Sequence, residues 1–246
     1  MSRIRIYHTG ELATGLTVML DPNASHHLLQ VLRKKAGESF WIFNGRHLGE
    51  FEATLISTGK KSACAKIGAF YERHTESPLK IHLGQAISRG ERMDYAIQKS
   101  VELGVFEITP LFTEYCQVQL SDHRIEKRVA HWQAIAISAA EQSGRTAVPK
   151  IHIPCHFSEW IKQSAELKIL CCLEHEAEKN FVSLENATHM MVGIGAEGGF
   201  STQEIQAAQA QHFKFMSLGP RILRTETAPV VALAFLEIMA DRRKPK

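Results

Sequence analysis

Apolar positions change rhythm near residue 75. Before it they come in short runs, Ile4–Tyr7, Leu16–Leu20, Phe40–Phe43, Phe51–Ser57 and Ala63–Phe70. Such runs, rich in β-branched and aromatic residues and separated by Gly, Asn and Pro, predict strands. Asn44-Gly45 between two of them predicts a hairpin. One short helix is expected over Ser25–Leu32, capped by Ser25, with Leu28, Leu29 and Leu32 on one face. The sum is a small β-barrel-like module. Arg73-His-Thr-Glu-Ser-Pro78 is polar and ends in proline, so the expected domains are 1–73 and 74–246.

Beyond Leu79 the pattern becomes strand, then helix. Apolar runs occupy Ile81–Ala86, Ile108–Phe112, Ile169–Leu173, Met190–Ile194 and Phe213–Leu218. Between them lie helical stripes: Met93, Ile97, Val101 and Gly104, then Ile125, Val129, Trp132 and Ala136. This alternation predicts an α/β domain with a mainly parallel sheet covered on both faces. Val230–Met239 is apolar almost all round, which means deep burial or packing against a second subunit.

Two glycine-rich turns follow consecutive apolar runs: Ile194-Gly-Ala-Glu-Gly-Gly-Phe-Ser201 and Leu218-Gly-Pro-Arg-Ile-Leu-Arg-Thr-Glu-Thr-Ala228. At the ends of neighbouring strands they would wall a small-molecule pocket with backbone groups, since open α/β sheets bind ligands at that edge. The alternative is a pair of structural turns that need glycine. Gly193-x-Gly195-x-x-Gly198 imitates a dinucleotide fingerprint, but Ser201-Thr-Gln-Glu204 is a capping box that starts the helix too late. No acid for a ribose lies between Glu204 and Glu226, and no Gly-Lys-Ser/Thr follows for a P-loop.

Composition narrows the class. The 246 residues are 44% apolar and 22% charged, an ordinary globular balance. No apolar run reaches membrane-spanning length, and Met1-Ser-Arg-Ile-Arg5 lacks the apolar core of a signal peptide, so a cytoplasmic protein is expected. Five cysteines without a C-x-x-C pair indicate neither a disulfide framework nor zinc, and the 13 histidines are scattered, so no metal is expected. Residues 1–72 hold nine Lys/Arg against six Asp/Glu, while the remainder has 20 of each. The excess includes Arg33-Lys34-Lys35 and suits a phosphate backbone, or else is hydrated surface charge.

Three polar clusters sit at element ends: Gln85-Ala-Ile-Ser-Arg-Gly90, Gln98-Lys-Ser-Val-Glu-Leu-Gly104 and Glu141-Gln-Ser-Gly-Arg145. Gln98, Lys99 and Glu102 also fit a hydrated helix face. Arg89 and Arg145 each neighbour a glycine at an element end, where functional residues concentrate.

Together with Ile108-Thr-Pro-Leu and the two glycine turns, these clusters resemble the RsmE-like ribosomal RNA methyltransferases of the SPOUT superfamily, over nearly the whole chain. Departures are Ala196, where the family usually has proline, and Pro229, where alanine is commoner. The resemblance implies a SPOUT-type α/β domain, a mainly parallel sheet tied in a trefoil knot, behind an N-terminal PUA-like β-barrel that binds RNA. It implies a homodimer with a shared active site and S-adenosylmethionine as cofactor. The cofactor would lie among Leu173, Ile194, Gly195, Glu197, Gly198 and Gly199, and along Leu218, Gly219, Arg221, Leu223, Arg224, Thr225 and Thr227. The substrate would be small-subunit ribosomal RNA or the assembled subunit, methylated at uridine N3 in the decoding region. Arg33, Lys34, Lys35, Arg89, Gln98, Gln142 and Arg145 would touch RNA.

The methyl donor is already activated, so the protein has chiefly to align the reactants. Loss of the N3 proton leaves negative charge on the ring, which Arg145 or Arg89 would stabilise. Glu197 and Glu226 are open as proton acceptors, since each equally suits a role pinning its own turn. The competing class is an RNA-associated binding protein with this fold and no catalysis, which would have no need of two intact glycine turns.

Overall fold

A computed structural model describes residues 3–58, 62–118, 122–172, 184 and 187–241. The chain divides into two compact units, Met1–Glu76 with Ala140–Val148, and Ser77–Ala139 with Pro149–Lys246.

The first unit contains β1 (Arg5–Tyr7), β2 (Thr17–Met19), α1 (Pro22–His26), β3 (Ser39–Phe43), β4 (Gly49–Thr58) and β5 (Ala63–Glu72). Its sheet runs β1-β3-β4-β5-β2, with β1 parallel to β3 and the other pairs antiparallel. Strand alternation sends Phe40 and Ile42, Ala53 and Leu55, and Ala65 and Ile67 into one core with Ile6 and Leu28. The Asn44-Gly45 hairpin forms between β3 and β4, and Gly45 supplies the left-handed φ of 73°.

The expected cap of the short helix is wrong. Asp21 caps α1, accepting from the Asn23 and Ala24 amides, and Pro22 fits the first turn, where its missing N–H costs nothing. The chain then continues as a π-helical turn over His27–Val31. Ser25 lies inside α1, fully buried, its hydroxyl donating to Leu20 O (3.2 Å) and accepting from the Ala63 amide (3.1 Å).

Segment 140–148 joins this unit through charge. Glu50 is fully buried and takes Arg5, Arg3 and Arg73 at 2.6, 3.1 and 2.8 Å. Arg5 donates onward to the carbonyls of Ala140 (3.0 Å) and Arg145 (2.8 Å). One carboxylate beneath several guanidiniums satisfies charges that burial would otherwise penalise.

The second unit contains β6 (Lys80–Ala86), α2 (Glu91–Glu102), β7 (Glu107–Phe112), α3 (Asp122–Ser143), β8 (Lys150–Ile151), β9 (Cys155–His156) and α4 (Phe157–Trp160). It continues with β10 (Leu167–Cys172), β11 (His189–Ile194), α5 (Thr202–Ala210), β12 (Lys214–Ser217) and α6 (Ala228–Asp241). The last turn of α3 belongs to the first unit. The seven-stranded sheet runs β12-β10-β11-β6-β7-β8, with β9 beside β7, and every pair is parallel. Central β6 and β11 are buried almost throughout, as expected of a sheet covered on both faces. Gly84 on β6 admits the Trp160 ring, because a Cβ there would lie 2.6 Å from it.

Helix α6 packs against α2, burying Ala232, Leu233 and Leu236 and leaving Val231 and Ile238 exposed. Among the described residues no helix is long and apolar enough to cross a membrane.

Candidate functional site

The parallel register brings Gln85, Ile194, Cys171 and Met216 side by side near the carboxyl ends of β6, β11, β10 and β12. Beyond that edge the two glycine turns enclose a cavity of about 280 Å³, close to the ~300 Å³ lower end of small-molecule sites. Of the residues expected around the cofactor, Ile194, Gly195, Glu197, Gly198 and Gly199 line it from one turn. Leu218, Gly219, Arg221, Leu223 and Thr225 line it from the other. Arg224 is exposed, Thr227 is half-buried, and neither lines the cavity, while Leu173 lies outside the described residues. Ala196, Ile222 and Ala228 of the same two turns complete the wall together with Cys171 and Cys172, and the two cysteines were not anticipated. Strand register sets Cys171 and Cys172 beside Met216 and Ser217, and the apolar run Ile169–Leu173 by itself does not show this.

The first turn is held by backbone. Gly199 N–H donates to Ala196 O (2.9 Å), closing it without the family's proline, and Ser201 begins α5 with the expected capping box. Each glycine has its own reason. Gly199 and Gly219 take left-handed φ values of 75° and 106°. A Cβ on Gly195 would lie 2.7 Å from the Gly199 carbonyl carbon, so the backbone crosses itself there. Gly198 has no left-handed φ, and a Cβ there would meet the Tyr115 ring at 3.1 Å.

Thr225 ties the turns together. It is buried, and its hydroxyl donates to Gly195 O (2.9 Å) while accepting from Gln85 Nε2 (3.1 Å). Gln85 is fully buried, and its Nε2 also reaches Ala86 O at 3.2 Å. Gln85 stands in a polar sequence cluster that by itself implies no such role, because its partner is 140 residues away in the chain. At the rim, Glu197 pairs with Arg92 of α2 at 2.6 Å, both side chains being about half exposed. Glu226 differs, since its Oε2 is buried without a hydrogen-bond partner.

The expected RNA residues fall in both units. Arg33 is exposed with a left-handed φ of 54°, Lys34 pairs with Glu38 at 3.0 Å, and Lys35 is exposed. Gln98, Gln142 and Arg89 are exposed. Arg145 is buried, and its Nε and Nη2 meet Glu76 Oε2 at 3.0 and 2.6 Å. Its Thr146 and Ala147 neighbours donate their amides to the other oxygen of Glu76.

Three side chains that look scattered in sequence converge elsewhere in the second unit. Ligand atoms of His82, Glu107 and His152 lie within 4.8 Å of one another. Trp160 Nε1–H, which can only donate, lies 3.2 Å from His82 Nε2. That nitrogen therefore accepts, and the His82 proton sits on Nδ1, 3.4 Å from Glu107 Oε1. His152 Nε2 meets the other oxygen at 2.8 Å. Burial lowers the His82 pKa to about 4, with Glu107 opposing. The lone pair a cation would need on Nδ1 is thus occupied by a proton.

Known proteins fit this arrangement. Residues 75–237 match the RNA methyltransferase domain family, and residues 20–68 match the RNA methyltransferase PUA domain. Fold and site together define an RNA methyltransferase with a PUA module. A relative from Buchnera aphidicola subsp. Acyrthosiphon pisum, named ribosomal RNA small subunit methyltransferase E, is 38% identical over 96% of this chain and 93% of its own. The Neisseria gonorrhoeae enzyme of the same name, solved with S-adenosyl methionine, superposes with a TM-score of 0.88 at 37% identity, covering 96% of this chain and 98% of that one. A Legionella pneumophila methyltransferase solved with bound SAM gives 0.92 at 40% identity, covering 97% and 98%. The chain belongs to the ribosomal RNA small subunit methyltransferase E family.

The residues present fit the family's cofactor, S-adenosylmethionine. Backbone N–H and C=O groups of two turns suit an adenine edge, Cys171, Ile194 and Leu223 give an apolar wall, and the Glu197 carboxylate suits a cationic ligand. Burial pushes the Cys171 thiol pKa up, so that wall stays uncharged.

Proposed function

We propose that this chain methylates N3 of a uridine in the decoding region of small-subunit ribosomal RNA, acting as a homodimer. The observation that carries this reading is the pocket of two glycine turns locked by Thr225 at the carboxyl edge of the sheet. S-adenosylmethionine, when bound, supplies a methyl group on a sulfonium and so an already activated electrophile. The chain's own work is to hold the uracil in line, exclude water, and manage one proton and one developing charge.

For the proton, Glu226 suits better than Glu197, because Glu197 is committed to Arg92 while Glu226 Oε2 has no partner. For the RNA, Arg89 suits better than Arg145. Arg89 is exposed with no carboxylate partner among the described residues, whereas Arg145 is buried against Glu76. We assign Arg145 to holding segment 140–148, and Arg33, Lys34, Lys35, Gln98 and Gln142 to contacts along the RNA. Val231 and Ile238 of α6, exposed on an otherwise apolar helix, support a second copy as its cover.

We also assign the family's knot to the chain's return from β12. That strand lies at the edge of the sheet beyond β10, yet Thr225, a few residues on, bonds Gly195 after β11 and Gln85 of β6. The test of function is mass mapping of small-subunit RNA from cells with and without the gene. One uridine in the decoding region should lose a ring methyl and regain it on complementation; an unchanged map overturns the reading.

A further inference from the structure

A second cavity, of about 110 Å³, lies under the turn from β6 into α2, lined among others by Ser88, Arg89, Gly90, Arg128 and Trp132. Ser88 and Trp132 are 6% and 2% exposed, and neither Ser88 Oγ nor Trp132 Nε1 has a hydrogen-bond partner. An orphaned buried polar group is destabilising, and a buried indole N–H usually finds an acceptor. Both residues line this one cavity, which leaves two unmet polar groups in its wall.

The donors define the ligand. Indole and guanidinium groups donate and never accept, and a serine hydroxyl can donate as well. Arg89 and Arg128 have no carboxylate partner among the described residues, and no acid lines the cavity. Helix α2, twelve residues long, starts after Gly90 without a side-chain cap, so its first amides and its dipole add to the same sign. Two acids lie in that first turn: Glu91 is exposed, and Asp94 meets His131 through Oδ2 at 2.8 Å while its buried Oδ1 has no hydrogen-bond partner and is a local charge that opposes an anion. The volume admits a tetrahedral oxyanion and excludes a nucleoside.

We propose that this cavity is an oxyanion subsite that seats one backbone phosphate of the substrate RNA. The proposal rests on the RNA-methyltransferase reading above and refines it, giving the Arg89 guanidinium to a phosphate instead of the uracil ring. Position supports an RNA source. The first turn of α2 that borders this cavity also carries Arg92, which holds Glu197 at the cofactor pocket. A phosphate seated here anchors the strand beside the methyl donor.

The test is the indole N–H resonance of Trp132 in full-length ¹⁵N-labelled protein, assigned by Trp132→Phe and titrated separately with inorganic phosphate and with a short decoding-region RNA. We expect saturable movement with RNA. Arg128 is exposed, so Arg128→Gln should fold normally, bind RNA about tenfold more weakly with a salt slope smaller by about one, and keep its S-adenosylmethionine affinity. A resonance unmoved by saturating RNA in protein that methylates that RNA overturns the proposal and leaves the cavity to water. Movement with phosphate but not with bound RNA overturns the RNA assignment. Movement with phosphate in protein that methylates no RNA keeps the oxyanion site and rejects the functional reading instead.

Discussion

Replacing Thr225 by valine keeps the shape of a buried side chain and removes a hydroxyl that serves two loops. The Gly195 carbonyl loses its 2.9 Å donor, and Gln85 Nε2 loses its 3.1 Å acceptor. Gln85 has little in reserve, since its Oε1 is already unpartnered and its other acceptors, Ala86 O and Thr225 O, stand at 3.2 and 3.4 Å. At ~1–3 kcal/mol for each buried group left unsatisfied, and with some relief as the turns loosen, the total is ~2–4 kcal/mol. Part appears as stability and part as cofactor affinity, because the same bond fixes the spacing of the turns. If half falls on binding, the S-adenosylmethionine Kd rises roughly 5- to 30-fold. Isothermal calorimetry gives the affinity, and melting curves with and without cofactor give the remainder. Thr225→Ser, which keeps the hydroxyl, should bind within about threefold of the parent. A folded Thr225→Val protein with Kd within twofold of the parent and an unchanged melting temperature would refute the reasoning.

The glycines of the first turn should separate by cause. Gly195→Ala meets backbone at 2.7 Å and should abolish cofactor binding, whereas Gly198→Ala meets a ring that can move at 3.1 Å and should weaken it only several-fold; equal effects in calorimetry would contradict this. Arg145→Ala strands the Glu76 carboxylate and should cost ~3 kcal/mol in denaturant melts with little change in cofactor affinity; normal stability with lost turnover would return the arginine to the substrate. Glu141 is a half-buried carboxyl that desolvation pushes up to about 7, so between about pH 4.5 and 7 its native form holds a proton that the unfolded chain has released. Its contribution to stability is therefore complete below about pH 4.5 and is lost as pH rises through 7, a span of at most ~3 kcal/mol. Glu141→Gln should flatten that dependence and raise the melting temperature at pH 8, which thermal scans across pH will check. Light scattering at micromolar concentration should give a dimer; a stable monomer would leave Val231 and Ile238 uncovered and remove the shared site.

What the sequence determined by itself is what short-range chemistry controls. Short apolar runs marked the longer strands of both units, helical stripes marked α2 and α3, and Ser201 with Glu204 marked the start of α5, because each signal is complete within a few residues. The same holds for the glycine turns, whose backbone needs are written in the glycines. The two-residue strands β8 and β9 carry no such pattern and passed unseen. Tertiary structure decided everything whose partner is distant. Arg5 and Glu76 draw segment 140–148 into the first unit, and the Ser25 hydroxyl is claimed by Ala63, leaving the cap to Asp21. Gln85 becomes a lock only because Thr225 arrives 140 residues later. His82, Glu107 and His152 share a proton network only because β6, β7 and β8 are neighbours. The physical reason is the same each time. A hydrogen bond or an ion pair depends on distance in space, and along a chain that distance is fixed by strand order and register, which no local pattern encodes.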